Sequence, residues 1–334
     1  MDNPEVVEVR RGPFVESRHR GAGVVVDADG AVVFAFGDID RPVFPRSAVK
    51  AFQALPLLES GAADALGLGE ADIALACASH SGEPDHVARA AAMLARAGAS
   101  SRALACGAHW PLGDKAARAL ARSGGDPTPL HNNCSGKHAG FVCLACASGW
   151  SVAGYETPGH PVQRAVKAAI EEMTGVALGP ESAATDGCSI PTYAVPLRAL
   201  ALGFARFATG RGLAPHRARA AERIRAAVAA HPYLVAGEGR FDTDAMRLLG
   251  ARAFTKTGAE GVFCAALPDA GFGVAVKADD GATRAAQVMI AALIARFLPL
   301  SDDERARFEP LLAPTLRNWN GLEVGAVAAA GPLA

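Results

Sequence analysis

The chain has 334 residues, half of them hydrophobic, and its 33 basic and 34 acidic residues leave a formal net charge of -1. This balance argues against a polyanion partner. No basic run resembles a nucleic-acid stripe, and no window of about 18 uncharged apolar residues offers a membrane span. The opening MDNPEVVEVRRGPF lacks the apolar stretch of a secretory signal, and seven cysteines, an odd number, point to reduced thiols in a cytoplasm.

From Gly21 to Asp27 the run GAGVVVD predicts a strand, Ala28-Asp29-Gly30 a turn, and Ala31 to Phe36 its hairpin partner. Two prolines make Asp38 to Pro45 a loop. A helix should then open near Ser47, with Val49 and Phe52 on one face, and Pro56 should stop or kink it. The run ADIALACA, Ala71 to Ala78, reads as a buried strand or a short helix, and it empties into Ser79-His80-Ser81-Gly82-Glu83. Pro84 opens a helix through Arg96. Further helices are expected at Asp114 to Ser123, Ala139 to Ser148, Pro161 to Met173, Pro196 to Thr209 and Pro215 to Ala230. In the last of these, Arg217, Arg219, Arg223 and Arg225 are assigned to a solvated face. Cys143 and Cys146 are read as small core residues, and the surroundings of Phe241 and Asp242 as polar and irregular.

The last third is the most regular. Gly261 to Leu267 reads as a strand, Pro268 to Gly271 as a turn, FGVAVKA as the returning strand, and Thr283 to Phe297 as a long helix. Strands at both ends with helices between them predict an α+β fold. An antiparallel sheet built from both ends would be flanked by helices, with a helical region inserted in the middle. One unit spanning residues 1–334 is expected, its sheet part at 1–60 and 250–334 and its helical part at 84–245, with no clean domain boundary.

Two patterns carry chemistry. In Arg46-Ser47-Ala48-Val49-Lys50 a serine precedes a lysine by three residues, so a helix would put an amine beside a hydroxyl one turn away. Such a hydroxyl needs a neighbouring base, and a lysine serves when burial or another cation disfavours its charged form. Lys256-Thr257-Gly258 follows in the order that accompanies Ser-x-x-Lys in serine acyl-transfer enzymes. Ser79, at the mouth of an apolar segment, is a second candidate hydroxyl. The other constellation is Cys134, Lys137, His138, Asp186 and Cys188. Thiolates with an amine or imidazole suit zinc, and free thiols lining or supporting a pocket are the alternative from spacing alone.

The segments SRHRG (Ser17 to Gly21), RSAVK (Arg46 to Lys50), ASHSGE (Ala78 to Glu83), HNNCSGKHAG (His131 to Gly140), TDGCSIPTYAVPL (Thr185 to Leu197), TKTGAEGVF (Thr255 to Phe263) and NWNGLEVG (Asn318 to Gly325) resemble the rhizobial-type L-asparaginases over nearly the whole chain. The resemblance implies a fold similar to serine β-lactamases, penicillin-binding proteins and glutaminases, a homodimer, and hydrolysis of L-asparagine to L-aspartate and ammonia. Carried over, Ser47 with Lys50 would form one Ser-Lys pair and Ser79 with Lys256 a second. Cys134, Lys137 and Cys188 would hold a zinc ion that tunes substrate binding without activating water. His138, Asp186 and Cys188 would border the substrate, the first two orienting its α-amino and α-carboxylate groups. The Ser-Asp-Asn element of β-lactamases occurs nowhere in the chain, so Ser79 is expected in its place. Competing readings are a glutaminase or β-lactamase-like hydrolase of the same fold, a non-catalytic thiol and zinc-binding protein, and a zinc hydrolase using metal-bound hydroxide.

Overall fold

The computed structural model describes residues 2–334 and divides the chain into two compact units. The first comprises the chain up to Ala48, Ala194–Gly212 and Leu248–Ala334. Its core is an eight-stranded sheet with the spatial order Thr315–Arg317, Glu323–Ala329, Glu5–Arg11, Phe14–Asp27, Phe272–Ala278, Val262–Leu267, Phe254–Thr257, and Val32–Phe36 also pairs with Phe14–Asp27. Every pairing is antiparallel. The fold is therefore α+β, with the sheet drawn from both ends of the chain as expected.

The strand expected at Gly21 begins earlier, at Phe14, and serves two sets of neighbours. Its first half pairs with Glu5–Arg11, and its second half, from Gly21, pairs with Phe272–Ala278. Val24, Val25 and Val26 are all buried, which explains their continuous apolar run, since a strand covered on both faces has no polar alternation. The helix Leu197–Thr209, from the middle of the chain, joins this unit and packs on the strand Phe272–Ala278. Gly273 permits the approach, because a Cβ there would lie 2.0 Å from the carbonyl oxygen of Ala201.

The second unit, Val49–Tyr193 and Leu213–Arg247, is mostly helical. The helix Lys50–Glu59 lies at its centre, with every residue from Lys50 to Leu58 buried. Of the two outcomes expected of Pro56, a stop or a kink, the stop does not occur. The helix runs three residues past it, because burial on all sides outweighs the one hydrogen bond that proline removes. Ala71 to Ala78 resolves as the helix Glu70–Ala76. The helix expected from Ala139 starts at Ser135 instead, and its residues Ser135 to Ala145 are buried whether polar or not. Gly136 lets it lie against the helix Glu70–Ala76: a Cβ would come within 2.3 Å of the Leu75 carbonyl oxygen.

Two other expectations fail. Phe241–Leu249 is a helix where irregular chain was expected, and Asp242, in its first turn, is buried. Arg217 does not lie on a solvated face. Its guanidinium is buried against Glu59, at 2.6 and 2.9 Å, and Glu172, at 2.7 Å, so two carboxylates supply the compensation that burial of a charge requires.

Candidate active site

Lys50 opens the central helix of the helical unit and is 1% exposed. Its Nζ lies 2.7 Å from the carbonyl oxygen of Ala78, 3.0 Å from Ser79 Oγ and 3.3 Å from the carbonyl oxygen of Asn133. Burial lowers the pKa of this amine, and nearby Lys137 lowers it further against the opposing pull of Cys134 and Cys188. Once neutral, the amine donates to the two carbonyls and accepts from Ser79, so the geometry suits a base acting on a hydroxyl. Ser79 is held from behind, its backbone N–H donating to the Val235 carbonyl at 2.9 Å.

Cys134, Lys137 and Cys188 come together beside it, all buried. The Lys137 amine donates to Cys188 Sγ at 2.9 Å. A hydrogen bond from Cys188, with Lys137 and Lys50 nearby, holds the Cys134 thiol well below its usual range despite burial, and the same bond with burial raises Cys188. The pair is thus polarised, Cys134 toward the thiolate and Cys188 toward the thiol. Burial would lower the Lys137 pKa, but Cys134 and Cys188 push it up to about 12. The two constellations named from sequence, Ser/Lys and Cys/Lys/Cys, therefore share electrostatics through Lys50 and Cys134.

Local structure explains this convergence. Asn132 Oδ1 accepts from the Cys134 N–H at 2.8 Å while its side-chain amide donates to the Cys106 carbonyl at 2.8 Å, so Cys134 is fixed just ahead of the helix Ser135–Ala147. Cys188 sits in the tip joining strands Ala183–Thr185 and Pro191–Tyr193. There Asp186 Oδ2 accepts from the Cys188 N–H at 3.3 Å and lies 3.0 Å from Cys188 Sγ. As for zinc, two sulfurs and an amine supply three donors of the kind a tetrahedral site uses. Among the described residues no group of three or more His, Cys, Asp or Glu could hold a metal ion, so a site here depends on Lys137 giving up its proton.

His138 is fully buried. The Tyr155 hydroxyl accepts from the Ala105 N–H at 2.9 Å and lies 2.6 Å from His138 Nδ1. With the hydroxyl donating to Nδ1, the imidazole proton is left on Nε2, and that atom has no hydrogen-bond partner among the described residues. Burial first, then Lys137 and Lys50, lower its pKa, so the ring is neutral. A buried donor without an acceptor suits a substrate carboxylate better than it suits a satisfied core histidine.

One residue escaped the sequence reading. His80 accepts from the Gly82 N–H at 3.1 Å through Nδ1, and its Nε2 bonds Ser135 Oγ at 2.8 Å. It stacks on His86 at 4.9 Å and ties the Ser79 loop to the start of the helix Ser135–Ala147. Its place within ASHSGE was the only available signal.

In the sheet unit, Ser47 is half-buried in the 3-10 turn Arg46–Val49, so the α-helix begins three residues later than Ser47. Arg46 enters the turn with φ +50°, a left-handed conformation costly for a residue with a side chain. Lys256 lies on the strand Phe254–Thr257, fully buried, with its amine 3.0 Å from the Thr257 carbonyl oxygen. The third residue of Lys256-Thr257-Gly258 abuts the segment leading to Ser47. A Cβ on Gly258 would come within 2.7 Å of the Pro45 carbonyl oxygen, so glycine is needed for the strand to approach that turn.

Comparison with known proteins finds weak likenesses among solved structures. A β-lactamase from Mycobacterium bovis is 14% identical, with 86% of this chain and 94% of that chain covered and a TM-score of 0.39. A variant of simvastatin synthase from Aspergillus terreus is 13% identical over 78% of this chain and 86% of that one, with a TM-score of 0.40. At these scores the likeness says nothing of chemistry. No curated protein matches. The family model of L-asparaginase II matches residues 7–329, nearly the whole chain, and supports an amidohydrolase enzyme. The chain belongs to the L-asparaginase II family.

Proposed function

We propose that the protein hydrolyses L-asparagine to L-aspartate and ammonia, as a rhizobial-type member of its family, and that serine and lysine side chains carry the reaction. The observation that carries this reading is the buried amine of Lys50 at 3.0 Å from Ser79 Oγ, in a chain matched by the asparaginase family from residue 7 to residue 329. In the scheme, Ser47 Oγ bonds to the side-chain amide carbon while its proton passes to neutral Lys50. Lys50 returns the proton through Ser79 to the leaving nitrogen, the C–N bond breaks, and ammonia departs. Water then attacks the ester, giving its proton back by the same route, and aspartate is released. Lys256 is assigned with Ser79 to the relay, and the charge that opposes protonation of Lys50 is that of Lys137. For Ser47 and Lys256 the scheme rests on the sequence resemblance.

His138 and Asp186 are assigned to the α-carboxylate and α-amino groups of the substrate. The unpartnered Nε2–H of His138 supports the first assignment. Cys134, Lys137 and Cys188 are assigned to zinc, which when bound supplies a fixed positive charge that organises the pocket and does not activate water. Without it, the Lys137 ammonium beside the Cys134 thiolate plays the corresponding electrostatic part. A homodimer and a cytoplasmic setting complete the reading. Among the described residues no helix is long and apolar enough to cross a membrane.

The contact between Lys50 and Ser79 also favours a second reading, in which Ser79 is the nucleophile. Ammonia release from asparagine and glutamine, with each serine replaced in turn by alanine, separates the two. The first reading expects Ser47→Ala to lose all but about 10⁻³ of turnover and to form no acyl-enzyme, and Ser79→Ala, which lacks only the relay, to be slowed in both steps while still forming an ester on Ser47. An acyl-enzyme in Ser47→Ala that is absent from Ser79→Ala would transfer the role. No ammonia from either amide with the wild-type protein would remove the asparaginase reading altogether. Elemental analysis, and chelation that weakens substrate binding without abolishing turnover, test the zinc assignment.

A further inference from the structure

The helical unit contains an open cavity of about 930 Å³, within the range of small-molecule sites, that is lined by none of Lys50, Ser79, Cys134, Lys137 and Cys188. One wall is the helix Asp114–Arg122, of which no residue is buried. Its apolar residues Ala116, Ala119 and Leu120 line the cavity opposite Val87 and Ala88 of the helix Pro84–Arg96. An amphipathic helix with its apolar side on an open cavity leaves that side in water unless something fills the space.

The polar lining indicates what would fill it. Three acids line the cavity, and each already has a partner. Glu83 accepts from the Tyr233 hydroxyl at 2.6 Å and from the Glu238 N–H at 3.1 Å. Glu238 accepts two bonds from Arg247, both at 2.9 Å, and Asp114 meets Arg118 at 3.4 Å. The donors are not matched in this way. Lys115, also in the lining, makes no direct hydrogen bond or ion pair among the described residues, and its charge acts only from a distance on Glu238, whose oxygens Arg247 already holds. His131 Nδ1 accepts from the Thr128 N–H at 3.0 Å, which leaves the proton on Nε2 without a partner. The unused recognition capacity of the cavity is therefore an apolar surface with two free donors, one of them cationic.

We propose that this cavity is a second, non-catalytic site for an amphipathic monocarboxylate, its hydrocarbon chain against Val87, Ala88, Ala119 and Leu120 and its carboxylate on Lys115 and His131. A free carboxylate matches the free donors, whereas an amine would meet only acids that are already paired. The apolar wall makes affinity depend on chain length, by about fourfold for each methylene buried.

Isothermal titration of the full chain with octanoate, decanoate, octanol and octylamine tests this without reference to turnover, so a failed asparaginase assay leaves it intact. Octanoate should bind at one equivalent per chain, decanoate about 15-fold more tightly, and octanol and octylamine at least tenfold more weakly. Lys115→Glu should weaken octanoate at least tenfold, and Ala119→Trp, which fills the space from an exposed helix, should remove binding. Both variants should keep wild-type ammonia release. Absence of saturable binding by either acid, equal binding of octylamine, or unchanged binding in Ala119→Trp would overturn the proposal. So would an Ala119→Trp chain that changes sedimentation while octanoate fails to bind the wild type, because the face would then belong to a second copy of the chain.

Discussion

The amine of Lys50 is surrounded by two carbonyl oxygens and a hydroxyl, with Lys137 close enough to oppose its charge. Burial moves its pKa down from the ordinary 10.5. The base form is the deprotonated one, so activity should rise with pH through this lowered pKa and be lost as pH falls below it. An acid limb in kcat/KM lying below the usual lysine range is the expected profile. Lys50→Arg, whose guanidinium stays protonated, should lose about 10²- to 10⁴-fold across the whole pH range, since no base of any strength replaces the amine. A variant retaining the wild-type limb would show that another group sets it. At this scale the sequence was informative where spacing is local. Ser47, Lys50, Ser79, Cys134 and Lys137 stand in short motifs. The Lys50–Ser79 contact, the bond of His80 to Ser135 and the orphaned Nε2 of His138 each depend on residues that only packing brings together.

At the scale of the element, the informative case is the helix Ser135–Ala147. Sequence places its start four residues late, at Ala139, after the polar cluster His131 to His138. In the structure Asn132, Cys134, Ser135, Lys137 and His138 are buried while His131 and Asn133 are only partly so, and from Ser135 to Ala145 the helix is buried on every side, so the usual amphipathic stripe is missing. What holds this helix in place is close approach at Gly136. Gly136→Ala sets a methyl 2.3 Å from the Leu75 carbonyl oxygen and 2.6 Å from its Cγ, both of which belong to the neighbouring helix Glu70–Ala76. A shift of that helix would cost about 1–3 kcal/mol and displace Cys134 and Lys137 with it. Gly159→Ala, with nothing within 4 Å of the added carbon, is the control and should be neutral. Urea midpoints for the two variants read the difference. Equal midpoints would mean that the helix is not held by this contact. Arg217 makes the same point about surface patterns: four arginines in one helix suggested a solvated face, and two carboxylates distant in sequence made one of them internal.

At the scale of the whole molecule, the sheet joins the two ends of the chain. The hairpins at 21–36 and 261–278 were legible from alternation and turn residues, and their place in one antiparallel sheet followed from the order of elements. The strands that join the two ends of the chain were not legible. Glu5–Arg11 looks like a charged leader, and Glu323–Ala329 is rich in alanine and glycine, so neither has strand character until its partner is known. Each supplies that partner: Val7 pairs with Ala329 and Val9 with Val327, and Val7, Val9 and Val327 are buried. Ending the chain at Ala313 would remove both terminal strands and turn Glu5–Arg11 from an interior strand into a bare edge carrying apolar residues, the arrangement that invites edge-to-edge association. Ending it at Gly331 removes only part of the terminal 3-10 turn and leaves the Ala330 N–H bonded to the Val6 carbonyl at 2.9 Å. The shorter chain should collect in the insoluble fraction, and the longer one should be soluble with a melting temperature close to that of the full chain. Soluble, monodisperse protein from the chain ending at Ala313 would show that the sheet unit closes without its last two strands. The pairing of first strand with last would then be a consequence of the fold rather than a condition for it.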